Sequence, residues 1–394
     1  MSQTSVYNKL LIALRDNDLD QFCTNFNSNT LPEGFDYDLL VEAMMSGCKD
    51  FVFYLLDKNC KTNKEDNVNT LVHVALTNGW LDVVKKLLEL DVPVSRCNSR
   101  GNTAVHVAFN NGCSEEIINC LLECYFLETL ENIKNVDGLS ILHIICTRPN
   151  VELFKKLVYK SVSEEGSQKI ILSYDDLNGQ VCLDSNTLYA GYTPLHFAVQ
   201  SGCIEIIKNL IYCCHIDICK QDASFSTPLH LALQRRDIDV IDILLADNTV
   251  YKDYVNSAGL THVMAACAST IDNIATNFLN YTYIHACDKM NSIVNARVQD
   301  LGNSLAGYTP FHFAAEYGRF QTVQLLYYYE SMIFAKTSQG LSALVLAIKN
   351  NHHYIAHLIF NYYKAYRESI CNDKRDVIVK DIIPFIENPT PMAL

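Results

Sequence analysis

The sequence predicts an all-α solenoid of about nine stacked helix pairs behind an N-terminal helical cap. Three observations predict it. First, the phrase GYTPLHFAVQSG at 191–202 returns as GYTPFHFAAEYG at 307–318. Second, its histidine marks a phase that recurs. His73, His106, His143, His196, His230 and His312 hold it, with Val41, Met264 and Val345 there in weaker copies, at spacings of 32, 33, 37, 53, 34, 34, 48 and 33 residues. Third, a second apolar stripe of helical period follows the phrase, plainest in LDVVKKLLEL, CIEIIKNLIYC and IDVIDILLAD. One such helix pair cannot bury its apolar face alone, so neighbours must stack.

The elements follow in chain order. Residues 1–36 hold the capping helices, with Ala13 and Asn17 at the places of the repeat's Ala and Gly. Repeats then occupy 37–159, 191–281 and 307–366. Within one repeat, Thr193 is the N-cap and Pro194 takes the first helical position, where its missing N–H costs nothing. Leu195 and Ala198 share a face, and Gly202 stops the helix, as Gly79, Gly112 and Gly318 do in theirs. Ile204, Ile207, Leu210 and Ile211 form the stripe of the second helix. The pair LSALVLAIKNNHHYIAHLIFNYYKAY closes the array. The tail 367–394 carries the amphipathic VIVKDIIPFI, while Pro384, Pro389 and Pro391 argue against one long helix.

Two long spacings mark insertions at 160–190 and 282–306. They end alike, in NTLYAGYTP and NSLAGYTP, and the repeats before them match as GLSILHIIC and GLTHVMAAC. The sequence therefore reads as a duplicated three-repeat block. Asn178-Gly179 in the first insertion is a type I′ hairpin signal, leaving a projecting β-hairpin and a plain loop both open. SIVNARVQDLGN in the second predicts an extended loop.

Thr-Pro with the phased histidine survives in full at Thr193–His196, Thr227–His230 and Thr309–His312. With a period near 33 residues, this resembles the ankyrin repeat over roughly residues 5–364. The resemblance implies an ankyrin-repeat solenoid whose histidines hydrogen-bond across loops. It also implies protein–protein recognition through a concave groove and the insertions. The groove positions are the residue after each initiating Gly and the two before the turn Gly. Here they are Asn110, Asn111, Tyr192, Gln200, Ser201, Gln234, Arg235, Tyr308, Glu316 and Tyr317. Tyr and Arg are enriched in binding hot spots, which puts Tyr192, Tyr308 and Tyr317 first.

Composition narrows the partners. The chain carries a net charge of −13 without a Lys/Arg cluster, so it lacks the footprint for nucleic acid or an anionic membrane. Residues 1–150 hold 20 acidic and 12 basic side chains, a half better suited to a basic partner surface. No apolar run is long enough to span a membrane, and the N-terminus lacks the basic start of a signal peptide. The 16 cysteines are then expected as reduced thiols of a cytoplasmic chain, monomeric alone, with nuclear entry or secretion into a host cell left open.

Chemistry finds little footing. Histidines at one phase are separated by a helix-stacking step of roughly 8–10 Å, too far to share a zinc ion. By the same step Cys48, Cys113 and Cys203 are too far apart for disulfides and read as small packing thiols. YCCHIDIC (Cys213, Cys214, His215, Cys219) lacks paired C-x-x-C spacing. His353 and His357 share a helix face without the Glu of H-E-x-x-H. His285 and Cys287, two apart, diverge on a helix. The expectation is therefore no enzyme, no cofactor and no metal. The alternatives are a cytoplasmic inhibitor of Rel-type transcription factors, a ubiquitin-ligase substrate receptor or microbial host-directed effector, and a metal-dependent hydrolase.

Overall fold

The computed structural model describes residues 3–369, apart from 28–34, 59, 61, 63–69, 129–131, 149, 163–166, 171, 184–187, 215, 251–253, 270–271, 300–301, 303 and 330. His215 and the tail after Ser369 lie outside the described residues. The chain divides into two units, Met1–Phe197 and Ala198–Leu394.

In the first unit, helix pairs follow one another as Gln3–Arg15 with Leu19–Asn27, Phe35–Met45 with Lys49–Asp57, and Leu71–Thr77 with Leu81–Glu89. Ala104–Asn110 with Glu115–Glu128 and Ile141–Thr147 with Val151–Val158 complete them. Short first helices stack on each other from pair to pair. Phe22, Phe51, Tyr125 and Phe154 from the second helices fill the core. Each such buried side chain contributes about 1.5–3 kcal/mol relative to exposure.

The second unit repeats the scheme. Its pairs are Pro228–Arg235 with Ile238–Leu245, His262–Ala268 with Asp272–His285, Pro310–Glu316 with Phe320–Tyr328, and Ala343–Lys349 with His353–Ser369. The helix Pro194–Ser201 straddles the division, and its partner Ile204–Lys208 runs on as a π-turn over Asn209–Cys213. Phe278, Phe311 and Phe313 are the large core residues here.

Among the described residues, five-residue turns at 98–102, 135–139, 222–226, 256–260 and 337–341 are each closed by a side chain. Asn135 Oδ1 accepts from the N–H groups of Asp137 (3.0 Å) and Leu139 (2.9 Å). Asn98, Asp222 and Asn256 do the same in their turns. The fourth residue needs positive φ, and Gly101, Gly138, Gly259 and Gly340 supply it. Phe225 stands in that place with φ 55°. After the first helices, Asn17, Arg236 and Asn351 adopt positive φ where other repeats use Gly.

Both insertions differ from expectation. An antiparallel hairpin pairs Tyr159–Val162 with Ser167–Ile170, well before Asn178-Gly179. Asn178 instead ends a short helix, Tyr174–Leu177, which Ser173 caps at its start. The strong turn signal was used as a helix stop, because the strands that would flank a turn there are absent. The second insertion is partly helical rather than extended. Its outer helix continues to His285, a 3-10 turn covers Cys287–Lys289, and a short helix covers Met290–Val294.

The two insertions nevertheless close identically. Val181 N donates to Tyr192 O, Gly191 N to Val181 O and Tyr192 N to Tyr189 O, at 2.9–3.0 Å. Val298, Gly307, Tyr308 and Leu305 make the same three bonds at 2.9–3.0 Å.

Candidate partner-binding surface

The phased histidines are the structural frame of the surface. In the first unit Thr70 N–H donates to His73 Nδ1 at 3.3 Å, and the Thr70 hydroxyl lies 2.8 Å from the same nitrogen. Because Nδ1 receives an N–H, it is the unprotonated nitrogen, and Nε2–H is the donor. It donates a hydrogen bond to Asn102 O (2.9 Å), in the following turn. His106 does this to Leu139 O (2.9 Å), His143 to Gly179 O (3.0 Å) and, in the second unit, His230 to Leu260 O (3.0 Å). Each is a capping box with His at N3, joined to an inter-repeat bond. His312 keeps the Thr309 contact, but its Nε2 makes no hydrogen bond of good geometry.

In His73, His106, His143 and His230 both ring nitrogens are engaged in hydrogen bonds within the fold. Burial pushes His106, His230 and His312 down to about 4 and His143 down to about 3. The rings are neutral structural members at any ordinary pH.

The remaining chemistry-bearing residues stand apart from one another. Among the described residues no group of three or more His, Cys, Asp or Glu could hold a metal. Cys113 is buried, while Cys48 and Cys203 are half-buried. His285 and Cys287 are both exposed, as are His353 and His357.

The ten groove positions divide three ways. Asn110, Gln200, Gln234, Arg235 and Tyr317 are exposed, Tyr317 to 44%. Asn111 and Ser201 are engaged by the fold. Asn111 Nδ2 donates to Leu76 O (3.0 Å) of the preceding repeat, as Asn78 does to Met44 O (2.8 Å), and Ser201 Oγ donates to Ala198 O (2.9 Å).

Tyr192, Tyr308 and Glu316 form the third group, and two of them stand differently from the reading that put them foremost. Tyr308 is only 6% exposed. Its ring lies against His312 (5.6 Å) and Phe313 (5.1 Å), and its hydroxyl bonds to half-buried Glu316. Burial and the Glu316 charge push the phenol up to about 12. Tyr192 is half-buried against His196 (5.2 Å) and Phe197 (5.3 Å). Each ring lies against the capping histidine of its own repeat. Their place is packing first.

Three further residues stand out in the structure. Phe225, 60% exposed on a turn tip in the left-handed region, had its signal in occupying a Gly place. His262 sits at the first helical position rather than N3. It is buried, with its ring 4.1 Å from His230 and its Nε2 2.7 Å from Thr227 Oγ1. Asp137, in the turn Asn135–Leu139, faces a small cavity described below.

Stacked helix pairs with histidine-capped first helices define a helix-pair repeat protein. A family description, ankyrin repeats in three copies, matches residues 39–130, 124–222, 195–291 and 282–369. The chain belongs to the ankyrin-repeat family. It is similar to the nuclear factor NF-kappa-B p105 subunit of Gallus gallus, 25% identical over 44% of this chain and 16% of that protein. It is also similar to the human transient receptor potential cation channel subfamily A member 1 (27% identical, 48% and 16%) and to mouse Rabankyrin-5 (27%, 55% and 18%). The chain thus spans less than a fifth of the length of these relatives. Among the described residues no helix is long and apolar enough to cross a membrane.

Proposed function

We propose that the chain is a non-enzymatic recognition module that binds a protein partner. In each unit the contact surface is its own set of exposed first-helix ends and turn tips together with its own insertion. One observation carries the reading. Once core, caps and turns are satisfied, the side chains left over at equivalent places are Asn110, Gln200, Gln234, Arg235 and Tyr317, all exposed. Tyr and Arg of this kind anchor interfaces, and a preformed surface binds without an ordering penalty. The chain works in the cytoplasm as a monomer, without cofactor, nucleic acid or catalysis.

A likeness to an NF-kappa-B subunit favours, as a second reading, an inhibitor of Rel-type transcription factors. The segmentation 1–36, 37–159, 160–190, 191–281, 282–306, 307–366 and 367–394 is retained as the proposed organisation. The test is a Gln234→Ala, Arg235→Ala, Tyr317→Ala triple variant, assayed by calorimetry against a partner identified by cross-linking. Affinity should fall roughly tenfold or more with the melting temperature unchanged. Unchanged affinity would remove this surface from consideration.

A further inference from the structure

In the first unit a cavity of about 30 Å³ opens between the end of helix Ala104–Asn110, the turn at Asn135–Leu139 and the close of the first insertion. Phe109 and Tyr189 flank it, their ring centroids 6.2 Å apart at 41°. Leu139 and Val181 line its buried wall, Asn110 stands at its rim, and Asp137 supplies one carboxylate. Tyr189 is held in place by Phe197 (5.0 Å) and Tyr192 (5.6 Å).

Asp137 is fixed through its backbone alone. Its N–H donates to Asn135 Oδ1 (3.0 Å), and its carbonyl accepts from Cys182 N (2.6 Å). Among the described residues its carboxylate has no ion pair. Lys134, three residues earlier, is committed to Asp176 at 2.9 Å. A half-buried carboxylate and two aromatic rings thus line one cavity.

The second block shows that the fold does not require this arrangement. Its insertion closes on the same three hydrogen bonds and its turn on the same Asn cap. Yet Leu233 stands for Phe109, Ala258 for Asp137 and Leu305 for Tyr189, while Val298 and Leu260 keep the places of Val181 and Leu139. The wall is common to both blocks. The carboxylate and the aromatic faces belong to the first alone.

We propose that this cavity, about the size of one water molecule, seats at its mouth the charged head of a single basic side chain, arginine or lysine, from a protein partner. Aromatic faces attract a cation through the ring quadrupole, and the carboxylate neutralises it where water is partly excluded. Charge complementarity points the same way, since residues 1–150 carry eight more acidic than basic side chains. This inference rests on the protein-recognition reading and adds the chemistry of one anchor.

The test is selection of a random twelve-residue peptide display library on the full chain, in parallel with Asp137→Ala and Tyr189→Leu variants. These variants install the residues the second block already uses, so the fold is expected to hold, and melting curves verify it. The wild-type chain should enrich peptides with a basic residue at one fixed position. Synthetic copies should lose about tenfold in affinity on either variant and on replacing that residue by glutamine. Arginine and lysine copies compared side by side tell which cation fits. Enrichment without a basic position, or affinity unchanged in Asp137→Ala, overturns the cavity's role and leaves the recognition reading standing. Failure to enrich any peptide overturns the anchor, and loss of partner binding in the Gln234–Arg235–Tyr317 variant then decides the wider reading separately.

Discussion

Acidification should unfold the array well above the pH at which its carboxylates titrate. His106, His230 and His312 have folded pKa values of about 4 and His143 of about 3, against an ordinary 6.5. Between pH 6.5 and 4 the unfolded chain therefore binds more protons than the folded one. The stabilisation is complete above pH 6.5 and drains away as the pH falls toward 4. A ring shifted from 6.5 to about 4 is linked to roughly 3 kcal/mol in all, of which about 2 kcal/mol is lost by pH 5. Four such rings make roughly 8 kcal/mol at pH 5, comparable to the whole stability of an ordinary domain. Urea melts followed by far-UV circular dichroism at pH 7, 6 and 5 read the effect directly. His106→Gln isolates one ring, since Gln at N3 retains a capping box but does not titrate. The variant should be about 1–2 kcal/mol weaker at pH 7, from the lost bond to Leu139, and the gap should close or reverse at pH 5. A gap of equal size at both pH values would refute the linkage.

Two further outcomes follow from the turns. Gly307→Ala should cost roughly 3 kcal/mol or more, because a Cβ there would lie 2.7 Å from Ser338 N at φ +77°; Gly79→Ala, at φ +72° with open space around it, should cost about 1 kcal/mol. Denaturant midpoints compare the two, and equal losses would show that the turn at Ser338 yields. Phe225→Gly should raise the melting temperature by roughly a degree or two through relief of its left-handed backbone, while weakening partner binding. A lowered melting temperature would mean that the Phe225 ring packs in the folded chain.

The repeat frame was legible because its signals are local. Thr227, Pro228 and His230 interact within one helical turn, and the stopping glycines need only their own φ. What escaped depends on residues distant in the chain. The hairpin register pairs Tyr159 with Ile170, and nothing at Asn178-Gly179 reveals that strands lie elsewhere. His262 breaks the phase by two positions, and its partner Thr227 lies 35 residues away. Tyr192 and Tyr308 sit at the right sequence place for a groove, but their rings lie against His196 and His312. Asp137 was invisible as a candidate because only the fold sets it beside Phe109 and Tyr189.

The shared histidines give the array a direction. His73, His106 and His230 each tie their own helix start to a turn that comes later in the chain, never to one that comes earlier. A repeat that loses its C-terminal neighbour is left with a buried donor pointing at nothing, whereas one that loses its N-terminal neighbour keeps this bond intact. Fraying from the C-terminal side of the first unit is therefore contagious, each opened turn loosening the cap of the repeat before it through His143, His106 and His73. Val345, in the last described helix pair, stands where histidine would be and makes no such demand.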